Sequence, residues 1–358
     1  MTKKHSFTFM QLELLEYLRC PVTRQPLTLT VIDYTEKIYD NKSYKIINTG
    51  VLTFDYWCYP IINGVPRMLV EAFIDYAYFF EKYLPNFTER KQNIYANYSG
   101  LINYVIKKNS HTKQSFAQEW NEFDYENDTT WHATPTEMLQ RFLKEIDETE
   151  QSIKGKIIFD AGCGNGLLDN LIANLNCNVI AMDFSLSIER AFEKNANSNA
   201  WFIQGDIQFP PIAFNSIDIL QCSGVAHHTN NSELTFSGLV QTIKPQGKAS
   251  FWLYHHRKER FHNFLLFLRK FITPLPIKMQ YYFCLIFLFP PIYIVKKLKG
   301  NKQNKRELMI DLLDGITPEF RWIHTQDEVT AWFYKYNFNN IEITTIEDFG
   351  FNIIGCKK

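Results

Sequence analysis

Residues 157–171 read IIFDAGCGNGLLDNL, and this stretch decides the fold. Ile157, Ile158 and Phe159 run into Asp160. Gly162, Gly164 and Gly166 follow at alternate positions, and apolar residues at helical spacing begin at Leu167. The pattern is strand, glycine loop, helix. Such a loop sets backbone N–H groups and the positive end of a helix at the carboxyl edge of a sheet. Glycine lets a ligand approach the main chain closely and allows positive φ. Three glycines exceed what a bare turn requires, so the loop is expected to cradle a ligand.

Two common occupants do not fit. The dinucleotide fingerprint needs glycine at the sixth position from Gly162, where Leu167 stands. A phosphate-binding loop needs Gly-Lys-Ser/Thr, which is absent here. Asp160 precedes the first glycine by two residues and faces the ligand. A carboxylate there suits a cation better than a pyrophosphate.

Outward from the loop, strands and helices alternate. KIIFD, NVIAMD, AWFIQ, SIDILQCSG, GKASFWLYH, IEITTI and FNIIGCKK are expected strands. LLDNLIANL, SIERAFEKN, SELTFSGLVQTI and TQDEVTAWFYKYNF are expected helices, the third ended by Lys244-Pro245-Gln246-Gly247. Thr134/Glu137 and Thr325/Glu328 each form a capping-box pattern. Seven strands with parallel crossovers and a hairpin-like end predict an α/β, doubly wound sheet. The second strand ends in Asp183, 21 residues after Gly162, where an acid can accept from both hydroxyls of a ribose. Asp206 follows the third strand and can meet the exocyclic amine of a base. A ligand with a cationic sulfonium or ammonium, a ribose and an adenine answers all three acids, and S-adenosylmethionine has those parts.

Residues 155–253 resemble the class I S-adenosylmethionine-dependent methyltransferases. The resemblance rests on FDAGCGNG, VIAMDFS, FIQGDI, IDILQCSGVAHHT and LVQTIKPQGKASFWLY, in that order. It implies a Rossmann-like seven-stranded sheet with the last strand antiparallel. It implies that Asp160, Gly162, Cys163, Gly164, Asn165 and Gly166 surround the methionine part, and that Asp183, with Phe184 and Ser185 beside it, holds the ribose. Asp206 and Ile207 would flank the adenine, and Cys222 and Ser223 would lie beneath the cofactor, whose product form is S-adenosylhomocysteine.

The chain divides into residues 1–70, 71–150 and 151–358. The first piece is β-rich, and its CPVTRQPL and YPIINGVPRML resemble the small zinc-ribbon domain that activates some tRNA methyltransferases. That family carries two Cys-x-x-Cys pairs. Here Thr23 replaces one cysteine and Cys58 stands alone, so the ribbon is degenerate, and two thiolates do not complete a zinc site. The second piece is an aromatic-rich helical linker or lid, with Phe116 and Trp120 as lid candidates. The third contains a helical insertion at about 258–310. Its run YYFCLIFLFPPIYIV has 15 residues, short of a bilayer span and interrupted by prolines. A helical cap over a hydrophobic substrate, or a helical pair packed on the protein, is preferred. An interfacial hairpin making peripheral membrane contact through 280–306 is the other reading.

His228 and His227, after the fourth strand, are the candidate general bases, because imidazole titrates near neutrality. A pocket-lining role without titration is the plainer alternative. His255 and His256 lie on the same edge, and Arg321, Trp322 and His324 are candidates to reach a substrate. Lys+Arg and Asp+Glu are 38 each, which argues against a nucleic-acid partner. Seven scattered cysteines and no signal-like N-terminus fit a cytoplasmic location. The expected activity is methyl transfer to a small molecule, glycan or lipid precursor. An RNA methyltransferase docking through the ribbon, or a non-catalytic cofactor-binding scaffold, are the alternatives.

Overall fold

A computed structural model describes residues 10–121, 133–256, 260–301 and 303–358, with backbone alone for 10–11, 110–121 and 260–263. Phe116 and Trp120 lie outside the residues whose side chains are described. Eleven strands form one sheet: β1 (Thr28–Tyr39), β2 (Lys42–Phe54), β3 (Trp57–Ile62), β4 (Val65–Met68), β5 (Ile157–Ala161), β6 (Asn178–Asp183), β7 (Ala200–Gly205), β8 (Ile217–Ser223), β9 (Ile243–Tyr254), β10 (Phe338–Ile346) and β11 (Gly350–Lys357). Their order is β1-β2-β3-β4-β7-β6-β5-β8-β9-β11-β10. From β7 to β9 neighbours are parallel, and β11 lies antiparallel to both β9 and β10. This is the expected seven-stranded sheet with its last strand antiparallel.

Side-chain alternation sorts the strands into two cores. Phe159, Ile180, Met182, Ile203 and Leu220 face one side, with Ile102 of the Phe87–Asn121 helix and Phe333 of the Gln326–Lys335 helix. Ile158, Val179, Ala181, Phe202 and Ile219 face the other, with Phe142, Ile172 and Ile188 from three helices. Both expected capping boxes are present: Thr134 Oγ1 accepts from Glu137 N at 3.3 Å, and Thr325 Oγ1 from Glu328 N at 3.2 Å. The turn expected to separate helix from strand at 244–247 instead lies inside β9. Ile243 pairs with Ile217, and pairing resumes at Lys248 with Ile219. Gln246 takes φ of 66°, and Lys244 Nζ bonds Asp218 of β8 at 2.7 Å, which holds this irregularity against the neighbouring strand.

The N-terminal strands continue the same sheet. β4 pairs parallel with β7 through Arg67 opposite Gln204 and Met68 opposite Gly205. Trp57, Tyr59 and Leu69 belong to the same core as Met182 and Phe251. In this module Cys20 is buried, with its Sγ 3.2 Å from the Tyr59 hydroxyl and 3.5 Å from Thr23 N. Burial pushes the Cys58 thiol up to about 12. Among the described residues no group of His, Cys, Asp or Glu is arranged to hold a metal ion.

The insertion differs from its sequence expectation. Its apolar run does not break at the prolines. One continuous helix covers Ile277–Leu298, 22 residues, long and apolar enough to cross a membrane by length and composition. A π-helical turn over Cys284–Leu288 widens the backbone just before Pro290 and Pro291, so the helix passes both.

Removing residues 1–70 should expose the β7 edge and strip Trp57, Tyr59 and Leu69 from the shared core. The shortened chain is expected to aggregate or to lose cooperative thermal unfolding. A soluble monomer with an unchanged unfolding midpoint would show that the four N-terminal strands are dispensable for folding.

Candidate functional site

The glycine loop is fastened to the second strand of the parallel sheet. Gly162 N and Cys163 N both donate to the Met182 carbonyl, at 2.8 and 3.0 Å. Gly162, Gly164 and Gly166 take φ of 111°, 56° and 72°. A methyl group at Gly162 would come within 2.3 Å of Val225, and one at Gly166 within 2.6 Å of Phe202. Close packing and left-handed backbone thus both demand glycine. Asn165 Oδ1 accepts from Leu167 N at 3.1 Å at the start of the Leu167–Ala173 helix.

Asp183 closes this arrangement. It accepts from Gly164 N at 3.0 Å, Ser185 N at 2.8 Å and Ser185 Oγ at 2.7 Å. Both Ser185 donors go to Oδ1 and the Gly164 donor to Oδ2, so each carboxylate oxygen is held. Burial nevertheless holds its pKa above the usual carboxylate range.

Asp160 ends β5 and is buried, as is Asp169 one turn into the next helix. Burial raises both carboxyls, Asp160 to about 7 and Asp169 well above the ordinary range; the hydrogen bond between them holds Asp160 down and Asp169 up, and the Asp183 charge raises both. Two carboxyls confined together bind one proton strongly. Glu145, at the end of the Pro135–Glu145 helix, is a further buried acid felt by Asp160. Its Oε1 takes Arg141 Nε at 2.7 Å, and its Oε2 lies 3.5 Å from Ser223 Oγ. Burial raises its pKa, and Arg141 opposes the rise. Sequence reading missed Asp169 and Glu145. Asp169 stood three residues past Gly166, inside an otherwise ordinary helix pattern.

At the end of β7, Asp206 is already engaged. Lys108 Nζ pairs with its Oδ2 at 2.7 Å and also reaches Gln208 Oε1 at 2.7 Å. Asn109 Nδ2 bonds Glu71 at 2.8 Å and lies 3.4 Å from Asp206. Ile207 is buried beside it. The Phe184 carbonyl accepts from Gln204 Nε2 at 3.1 Å, and Gln204 Oε1 accepts from the Tyr76 hydroxyl at 2.8 Å. Cys222 is buried under the loop region, and burial raises its thiol pKa far up.

The two histidines part company. His227 is fully buried, with neither ring nitrogen hydrogen-bonded, and its ring lies 3.9 Å from that of Tyr254. Burial depresses its pKa far below the usual value, and nearby positive groups add to this. His228 Nδ1 sits 3.0 Å from the Phe320 carbonyl. A carbonyl only accepts, so Nδ1 carries the proton. Its Nε2 lies 3.5 Å from Asp314 Oδ1, while Asp314 Oδ2 accepts from the Tyr254 hydroxyl at 2.7 Å. Burial lowers the His228 pKa, and the Asp314 charge resists. Arg321 stacks 4.2 Å over the Tyr254 ring, with Nε and Nη1 buried and without hydrogen-bond partners. His324 spends both ring nitrogens on Ser232 Oγ and Glu328, and Trp322 Nε1 donates to the Thr229 carbonyl. These two fasten the 318–325 segment to the sheet edge. His255 lies beside Phe351, and His256 is exposed.

The structure therefore gathers Asp160, the glycine loop, Asp183 and Ser185 in one place, and Asp206 with Ile207 at the next strand end. Cys222 and Ser223 border the loop. His227 and His228 stand in a separate cluster with Tyr254, Asp314 and Arg321.

Two outcomes follow from this burial. Lys108→Met leaves Asp206 buried without its cation and should cost about 3 kcal/mol; adding Asp206→Leu should restore most of it, as a double-mutant cycle by denaturant unfolding would record. Asp169→Asn should stabilise the protein near neutral pH. A carboxyl whose folded pKa is raised stabilises the fold below its unfolded pKa, and that contribution is lost as pH rises through the folded value. The variant's thermal midpoint should exceed the wild type's at pH 7, and the two should converge near pH 4, about the unfolded carboxyl value.

Residues 159–251 match the methyltransferase domain family. Over 113 residues the chain is 26% identical to the mitochondrial ubiquinone biosynthesis O-methyltransferase of Schizosaccharomyces pombe, covering 30% of this chain and 41% of that protein. Over 120 residues it is 28% identical to the ubiquinone biosynthesis O-methyltransferase of Coxiella burnetii, covering 33% and 51%. The chain spans about half the length of the curated relatives it matches. Among solved structures, magnesium protoporphyrin IX methyltransferase from Synechocystis PCC 6803 with bound SAH aligns at a TM-score of 0.40 and 13% identity, covering 71% of this chain and 100% of that one. Strands β5 to β8, with the glycine loop and its acids, thus fall within a matched methyltransferase domain.

Proposed function

We propose that the chain is an S-adenosylmethionine-dependent methyltransferase, acting in the cytoplasm on a small molecule, glycan or lipid precursor. One observation carries this reading: buried carboxyls gathered around a glycine loop at the ends of β5 and β6. Asp160, Asp169 and Asp183 make a buried acidic cluster whose raised pKa values a cationic ligand would lower, by favouring the ionised forms. Asp160 and Gly162 to Gly166 would hold the methionine part, Asp183 the ribose, and Asp206 with Ile207 the adenine. Phe184 and Ser185 would line the ribose side, and Cys222 and Ser223 the floor. The relatives' names, both from ubiquinone biosynthesis, support a small-molecule acceptor.

The cofactor supplies a methyl group already activated on its sulfonium, so the protein chiefly orients and excludes water. An acceptor hydroxyl must also lose a proton. His227 is held neutral by burial, with both ring nitrogens unspent, and neutral imidazole is the proton-accepting form. The Tyr254 ring packs against it, tilted by 38° at 3.9 Å between centroids. His228 is committed through Nδ1 to Phe320, and orients the cluster through Asp314. Arg321 offers two unspent buried donors toward an acceptor oxygen.

His227→Ala should lower kcat about 100-fold while the dissociation constant for S-adenosylmethionine, read by calorimetry, stays within about twofold. Asp183→Ala should abolish that binding. Because the His227 pKa is depressed, wild-type activity should hold steady above about pH 6.5 and fall only at lower pH as the ring protonates. An unchanged kcat in the His227 variant would remove it from the chemistry. Failure of the well-folded wild type to bind S-adenosylmethionine would overturn the function itself.

A further inference from the structure

The insertion has two unlike faces. Toward the protein, Ile272, Cys284 and Leu288 pack with Leu312, Leu313 and Ile316 of the Lys305–Ile316 helix. Arg269 ties down the segment that follows, donating to the carbonyls of Gly315, Ile316 and Pro318. Away from that core, Phe267, Phe271, Tyr282, Ile286, Phe287 and Leu298 are each more than half exposed. Exposed apolar side chains of this size on adjoining helices mark a contact surface rather than ordinary scatter.

Charge identifies what the surface meets. Residues 260–306 hold ten Lys and Arg and no Asp or Glu, in a chain whose overall charge is zero. Lys270, Lys278, Lys299 and Lys305 are exposed on these same helices. A second copy would bring two such basic faces together, and the repulsion opposes dimerisation. An anionic bilayer presents the complementary arrangement, with negative headgroups above acyl chains. Although the Ile277–Leu298 helix has the length to span, its Cys284 and Leu288 face is committed to the protein core, and Gln280 Nε2 is bonded to the Thr273 and Leu275 carbonyls. Lying in the interface leaves that packing intact.

We propose that the 260–306 helical hairpin is an interfacial anchor that lays its aromatic face into an anionic membrane surface. The helix behind it supplies Asp314 to Tyr254 and His228.

The full-length chain is floated with phosphatidylcholine vesicles containing or lacking phosphatidylglycerol, at low and high salt. Binding is expected only with phosphatidylglycerol and at low salt, and carbonate washing should release it, as an interfacial rather than a spanning helix requires. Ile286→Glu with Phe287→Glu should weaken binding by about tenfold or more, since two large side chains lose their apolar contact. The milder Phe287→Ser guards against misfolding, and far-UV circular dichroism and thermal midpoint should stay at wild-type values in both. Lys270→Gln with Lys299→Gln should reduce the preference for phosphatidylglycerol. Failure of wild type to float with phosphatidylglycerol at low salt overturns the proposal. So does equal flotation of the Ile286/Phe287 variant, or a wild-type dimer by light scattering that this variant abolishes without any vesicle binding. Retention after carbonate would overturn the interfacial geometry in favour of a span.

Discussion

The bond from Gly164 N to Asp183 is the constraint on which the site depends. It crosses from the loop after β5 to the end of β6, and two further N–H groups of the same loop close on the Met182 carbonyl. Three left-handed glycines would otherwise leave this loop free to sample many conformations, at a large entropic cost of ordering. Anchoring it to β6 fixes where the Leu167–Ala173 helix begins and where Asp160 and Asp169 come to rest. The same bond makes Asp183 both a structural tie and the acid best placed for a ligand's hydroxyls.

Electrostatics at this point runs against stability. Burial raises the pKa of Asp160, Asp169, Asp183 and Glu145 alike. Among the described residues, only Glu145 has a cation close at hand, in Arg141. Lys108, one strand away, is spent on Asp206. Residues chosen for folding alone would neutralise such a cluster, as Lys108 does for Asp206. Proteins keep unfavourable buried charge mainly where a ligand relieves it.

The sequence was legible where structure is local. Strands showed as apolar runs, capping boxes as Thr-x-x-Glu, and the loop as alternate glycines, and each took its expected form. The parallel seam between β4 and β7 was not legible, because Arg67 and Gln204 are far apart in the chain and no periodicity links them. Lys108 was hidden for a similar reason: mid-helix, with nothing local to mark its burial. The prolines at 290 and 291 misled because Pro normally ends a helix. The π-turn that carries the helix past them leaves no sequence signature. Of the histidines, position alone put His227 and His228 on the right edge but could not tell them apart. The Phe320 carbonyl and Asp314, distant in sequence, distinguish the His228 ring from that of His227.

The insertion and the histidine cluster are best understood as one device. Tyr254 is the last residue of β9, and its hydroxyl binds Asp314 from the insertion's final helix. The chain then returns through Phe320 and Trp322, which bond the His228 ring and the His227 carbonyl. Among the described residues, Asp314, Phe320 and Trp322, which hold the two histidines on that side, all lie downstream of the exposed hairpin. The hairpin packs on the Lys305–Ile316 helix, whose end Arg269 clamps, and on the Phe87–Asn121 helix. A free hairpin on a flexible tether could dock without consequence. One packed on the helix that carries Asp314 is joined through that residue to Tyr254, and so to the surroundings of His227.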